Sequence, residues 1–334
     1  MESAPDVEGQ PLDGDFAPAW HAVCRGVAFF LGVFTLLNLA GEVRWSGFDS
    51  SFWWIDLRPS PPRAARGFLA VTSVLLVVFA FRPQIDGALR SLALSAVLLL
   101  LMATLWNAYG FYALLRADEI RTDIPVPFAM QAAAALIVIF AGMRECPQDS
   151  MHLGRDLAIG SLAVLVCAIS FPLAHIFCTG SLDERSASDA VIVFADDLTT
   201  IDPSSAGMQT ATDLHREGLA PRLVLATSSE TTALEASQPG ETSRVPANWD
   251  IVTATDASSI IEEVASRCAE LQIERVMVVA NFHQLPRIDL LFRQRGFEVV
   301  TVPINDEAEP PQSAAGLATE VAKLWSIYLG AFAD

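Results

Sequence analysis

The five cysteines of this 334-residue chain, Cys24, Cys146, Cys167, Cys178 and Cys268, form no CxxC pair and no Cys/His ligand spacing. That argues against a disulfide framework and against a zinc site, and leaves buried, inert thiols as the reading. No G-x-G-x-x-G turn follows any strand-like run, so NAD or FAD use is not expected. No G-x-S-x-G elbow is present, which removes the nucleophile turn of an α/β-hydrolase. Basic residues are scarce, with 21 Lys+Arg against 39 Asp+Glu and a formal net charge of −18. Phosphate backbones are bound by Lys and Arg, so no nucleic-acid partner is expected. Asp and Glu are absent from the interior of every long apolar run. That weakens a proton-coupled transporter and leaves it the last of the functional readings.

What the chain has is apolar length. Hydrophobic residues make up 52% and the mean hydropathy is +0.39, both high for a protein without membrane segments. Five runs stand out, at 20–40, 67–81, 92–115, 127–143 and 157–178. A spanning helix needs about 20 mostly apolar residues. The first, third and fifth runs reach that length, and the second and fourth fall slightly short. The expectation is five transmembrane helices, with the lipid bilayer as a partner. An acidic and polar stretch, 1–19, precedes the first run with no basic segment, so that run does not read as a cleaved signal peptide. The long connection after it carries Trp45, Phe52, Trp53 and Trp54, which suits a headgroup-level anchor or a surface-lying segment docked on the soluble domain. Asn38, Asn107 and His175 are single polar groups inside the runs and read as helix–helix contacts. Arginines in the connections divide too evenly to fix the orientation.

From Ser181 onward the composition reverses, with 24 Asp+Glu against 10 Lys+Arg. The organisation predicted is a tail (1–19), a membrane domain (20–180) and an α/β domain (186–334). In the last of these, strand runs at 189–197, 222–229, 249–255, 275–281 and 297–304 alternate with helical spacing at 204–219, 256–273 and 286–295. An amphipathic stretch, 312–332, closes the chain. Continuously apolar strands each followed by a helix predict a Rossmann-like domain with a parallel sheet covered on both faces. The fold class is therefore a multi-span α-helical membrane region followed by an α/β domain.

In such sheets ligands bind at the carboxyl ends of the strands. Asp196 and Asp197, Ser228, Asp256, Asn281 and His283 all follow strand ends and are candidates for one rim. The segment "VVANFHQLPR", 278–287, is the most informative. Its strand hands over to a helix with Pro286 in an early position, where unpaired backbone N–H groups attract anions. Arg287 adds a fork suited to a carboxylate or phosphate. One reading makes His283 an acid/base group, Glu262 its orienter, and Arg287, Asn281, Asp196, Asp197, Ser228 and Asp256 the ligand-binding set. The other makes His283 a helix cap and Arg287 the partner of an acid such as Glu262 or Asp256. A metal held by Asp196 or Asp197 with Glu262 is the weaker possibility, and no metal site is expected. The residues do not say which cofactor, if any, is used.

"RVMVVANFHQLPRIDLLFRQRGFEVVTVPI" resembles a segment of the SanA/YdcF/ElyC-like bacterial envelope proteins, in which a strand leads to His-hydrophobic-Pro-Arg, a helix, a Gly and a strand. His283, Pro286 and Arg287 keep that spacing, and "LHREGLAPRLVLATS" resembles the family's first helix and second strand. The resemblance covers about a third of the chain, from 189 to 304. It implies a multi-pass protein of the cytoplasmic membrane whose α/β domain lies on the outer side and serves envelope biogenesis or barrier integrity, with other envelope proteins as possible partners. The chain departs from the family at its turns. "FADD" and "ATSSE" stand where glycine-rich turns are usual, and the family's first-helix arginine falls near Gly207 or Met208. Side chains then occupy space that a ligand phosphate would need. A degenerate, non-catalytic domain acting as an interaction or assembly module is the alternative this leaves.

Overall fold

The computed structural model describes residues 16–44, 54–57, 59–82, 87–145, 153–194, 205–228, 249–254, 259–304 and 314–330. Five helices come first: α1 (Phe16–Arg44), α2 (Pro62–Phe81), α3 (Gly87–Arg116), α4 (Phe128–Arg144) and α5 (Leu153–Gly180). Four of them contain segments long and apolar enough to cross a membrane, Ala19–Val43, Pro62–Phe81, Gly87–Arg116 and Gly154–Gly180. The expectation of five spans is met by four on length. At 17 residues, α4 is about 26 Å long, under the roughly 30 Å of a hydrocarbon core.

The helices alternate in direction. Arg25 near the start of α1 donates to Ala80 O at the end of α2 (2.8 Å), while Glu42 near the end of α1 pairs with Arg66 near the start of α2. Arg90 at the start of α3 donates to Met143 O at the end of α4 (2.8 Å). So α4 runs between the same two ends of the bundle as its neighbours. Small residues let the backbones approach. A Cβ on Gly26 would strike Gly160 O of α5, and one on Gly142 would strike Cys24. Trp54 is 3% exposed and belongs to the bundle's apolar core. The headgroup anchor expected there is not what Trp54 forms; Trp45, Phe52 and Trp53 lie outside the described residues.

The chain leaves α5 through a two-residue ladder. β1 (Arg121–Thr122), in the α3–α4 connection, pairs antiparallel with β2 (Leu182–Asp183). The α/β half follows: β3 (Ala190–Phe194), α6 (Ala206–Arg216), β4 (Arg222–Ser228), β5 (Trp249–Ala254), α7 (Ile260–Glu270), β6 (Arg275–Ala280), α8 (Leu285–Gln294) and β7 (Glu298–Pro303). The last five strands form one parallel sheet in the order β5-β4-β3-β6-β7. Alternate residues of a strand point to opposite faces, and both faces are apolar here. Val191 and Val193 meet Met208, Ala211 and Leu214 of α6. Ile192 and Phe194 meet Val264 and Cys268 of α7 and Ile288 and Phe292 of α8. Strands buried on both sides give the continuous apolar runs by which they were read.

The last helix, α9 (Ala314–Gly330), belongs by sequence to the α/β half and by packing to the bundle. Leu324 and Tyr328 lie in the same core as Phe30 and Phe34 of α1 and Phe171 of α5. Trp325 sits edge-on to Phe30 and Phe34. The cause of its seating is Pro172, inside α5. Proline has no N–H to offer the carbonyl four residues back, so Ala168 O has no α-helical donor. Trp325 Nε1 donates to that oxygen at 2.8 Å. We expect Trp325→Phe to cost about 1 kcal/mol, read as a lower thermal midpoint in detergent. In a Pro172→Ala background residue 172 regains its N–H, and the same substitution should cost much less. Equal costs in both backgrounds would refute the pairing.

Candidate functional site

The polar end of the parallel sheet is built where β6 gives way to α8. The order of strands places β3 and β6 side by side, with the chain's crossovers leaving to opposite sides from this pair. Asn281 follows β6 directly and is 2% exposed. Its carbonyl accepts from the N–H groups of Gln284 (2.9 Å) and Leu285 (3.2 Å), closing the turn into α8. Pro286 falls in the first turn of that helix and Gln284 is its cap residue, without a side-chain cap bond. His283 therefore does not cap the helix, as one reading of the sequence had it. It is 6% exposed, its ring stands perpendicular to Phe282 at 5.5 Å, and its buried Nδ1 has no hydrogen-bond partner among the described residues.

Arg287 has a partner among the described residues, and it is not Glu262. Arg287 Nε lies 3.3 Å from Glu320 of α9, and the two side chains are 19% and 7% exposed. The other oxygen of Glu320 holds Lys323 at 2.7 Å. Lys323 is the only lysine in the chain. Glu262 is exposed at the start of α7 and pairs at 3.1 Å with Arg295, which follows α8. Ser228 closes β4, while Asp196, Asp197 and Asp256 lie outside the described residues. The structure thus brings Asn281, His283 and Arg287 together and adds Glu320 and Lys323, which the sequence reading missed. The signal available was an acid and the sole lysine three residues apart in the closing amphipathic stretch; nothing in that spacing names their partner. Among the described residues no group of three or more His, Cys, Asp or Glu could hold a metal ion.

The turn is also pressed against the bundle. Phe282 stacks near Phe177 of α5, with ring centroids 6.0 Å apart. Its carbonyl lies against Gly180, where an added Cβ would collide with it and approach Pro286 Cδ. The start of α6 is closely packed. Gly207 packs on Ile304 and Val193, with a Cβ there meeting Ile304 Cδ1 at 2.9 Å, and Met208 is buried.

Burial pushes the His283 imidazole below its usual pKa; Glu320 opposes this, while Lys323 and Arg287 add to it. The imidazole is held neutral. In the unfolded chain it titrates near 6.5, so below that pH the unfolded state binds the proton more readily and stability is lost as pH falls. Above it the contribution is intact. The thermal midpoint should therefore drop further between pH 7.5 and 5.5 in the wild type than in His283→Gln (values on either side of about 6.5). Parallel drops would show that His283 is not held neutral by the fold.

Fold and site together define a protein with an apolar helical bundle and a parallel α/β body fastened to one end of it through the β6–α8 turn. Comparison of the chain with protein-family models, with curated proteins and with solved structures finds no match.

Proposed function

We propose that this chain is a membrane-held assembly module of the cell envelope, in which the α/β domain is a docking body and not a catalyst. The observation that carries the reading is the Arg287–Glu320 pair. The cation that an anionic ligand would need is engaged by a nearly buried carboxylate of α9, and the adjoining Phe282 backbone is closed off by Gly180. The His-x-x-Pro-Arg spacing then serves as a joint between bundle and sheet. Residues of that joint are polar because an ion pair and a helix start are built there. The resemblance to the SanA/YdcF/ElyC-like proteins supports placement in the cytoplasmic membrane with the α/β domain on its outer side. The test removes both charges at once. If the joint matters, Arg287→Leu with Glu320→Leu keeps the fold and complements a deletion strain under envelope stress, while Glu320→Leu alone fails.

A second reading keeps a phosphorylated or nucleotide-like ligand at the rim, with His283 as acid/base. One observation favours it: the buried His283 Nδ1 that no described residue bonds. In this reading Arg287 and Lys323 would share the ligand with Glu320, and the double variant would fold yet fail to complement.

A further inference from the structure

The helix α9 follows the α/β half in sequence, and its surface differs from that of the other helices there. The outward face of α7 carries Glu262, Glu263, Arg267 and Glu270. From Ala318 onward the exposed positions of α9 are Ala318, Thr319, Ala322, Lys323, Ser326 and Leu329. Glu320 and Lys323 are its only charged residues. They bind each other, with Arg287 on the second carboxylate oxygen. Both exposed hydroxyls are turned back onto the helix. Thr319 Oγ1 donates to Ala315 O at 2.9 Å, and Ser326 Oγ to Lys323 O at 2.7 Å. An amphipathic helix in water shows a charged face. A face whose charge and hydroxyl protons are all taken up within the protein suits hydrocarbon, where no water can serve as partner.

Depth points the same way. Trp325 donates to Ala168 O, and Ala168 stands 14 residues after the start and 12 before the end of the apolar segment Gly154–Gly180. Phe30 and Phe34, against which Trp325 packs, straddle the middle of the segment Ala19–Val43. The Trp325 ring is therefore level with the centre of both helices. Beside Ala168 on α5, Leu165, Val166 and Ile169 are about half exposed. Large aliphatic side chains grouped on a surface mark a contact site, and at the centre of a spanning helix that contact is lipid. We propose that α9 lies within the bilayer and that its outward face, from Ala318 to Leu329, is a lipid-contacting surface continuous with that of α5. This rests on the membrane placement proposed above. The partner is the acyl-chain layer. At 17 residues, about 26 Å, α9 is shorter than the roughly 30 Å hydrocarbon core and does not cross it. The aromatic core holds it on one side and Arg287 holds it at Glu320. Charged side chains at such depth pair with one another or face the bundle, which is how Glu320 and Lys323 are placed.

The test introduces p-benzoylphenylalanine at one position at a time in the full chain, reconstituted in phosphatidylcholine vesicles. The positions are Ala322 and Leu329 of α9, Leu165 of α5 and Glu270 of α7, all exposed in the fold. Irradiation followed by mass measurement counts chains that have gained one phospholipid. Ala322 and Leu329 should give the lipid adduct in a yield comparable to that of Leu165, and Glu270 should give none. Adducts at Leu165 with none at Ala322 and Leu329 would overturn the proposal and leave the membrane placement standing. Crosslinks from Ala322 to a second copy of the chain, in place of lipid, would overturn it too, assigning the Ala318, Ala322 and Ser326 stripe to helix packing. Absence of the adduct at Leu165 as well would overturn both the proposal and the membrane placement.

Discussion

Gly180→Ala is expected to destabilise the protein, by about 3 kcal/mol, whereas Gly154→Ala in the same helix stabilises it. Alanine in place of glycine inside a helix normally gains about 0.5–1 kcal/mol through reduced unfolded-state entropy. Gly154 meets nothing within 4 Å of an added Cβ and should show that gain. Gly180 meets the Phe282 carbonyl, with Pro286 Cδ behind it at 3.4 Å. A backbone carbonyl within a tight turn cannot swing aside as the tip of a flexible side chain does, so the end of α5 and the β6–α8 turn must part. Overpacking of this kind costs about 1–3 kcal/mol, and more where backbone must move. Scanning unfolding in detergent at one fixed rate should place the two midpoints on opposite sides of the wild type. Limited proteolysis should show faster cutting between 181 and 189 in Gly180→Ala alone. Two variants shifted in the same direction would mean that the turn is not seated on α5 as described.

The contrast between these glycines marks what a single sequence can reveal. The parallel sheet was legible because each strand is buried on both faces and so carries an unbroken apolar run, as in "AVIVF" and "RVMVVA". The helices of the bundle were legible by length, although the fourth run falls under the spanning length once its ends are fixed at Phe128 and Arg144. The rim residues Asn281, His283 and Arg287 were legible as a group because they follow one strand end within seven positions. Their partners were not. Glu320 lies 33 residues from Arg287, and its helix reads in isolation as an amphipathic closing segment. Only the bundle's aromatic core and the carbonyl that Pro172 leaves free show why α9 turns inward. Trp54 was misjudged for the same reason, since tryptophan suits a headgroup layer and a packed core equally well until its neighbours are known.

The charges at the joint provide the sharpest division between a docking body and a ligand site. Breaking a buried ion pair from one side leaves the other charge uncompensated, a loss of about 3–5 kcal/mol in well-buried cases. Glu320 is nearly buried and Arg287 is one-fifth exposed, so the lower end applies. Glu320→Leu is expected to cost about 3 kcal/mol. Arg287→Leu should cost less, because Lys323 still reaches the carboxylate. Lys323→Met, at a side chain about half exposed, should cost under about 1 kcal/mol. Replacing both members of the buried pair by leucine removes the stranded charge and adds apolar contact, so the double variant should lie within about 1 kcal/mol of the wild type. The coupling between the two sites, read from the four midpoints of the cycle, should then be large and favourable. Stability and activity part company here. A joint needs only that α8 and α9 remain together, so the stable double variant should restore growth under envelope stress. A ligand site needs the guanidinium itself, and the double variant would then be folded, membrane-inserted and inactive. Growth restored by the double variant, alongside failure of Glu320→Leu alone, establishes Arg287 as a fastening; the folded but inactive result assigns it to a ligand.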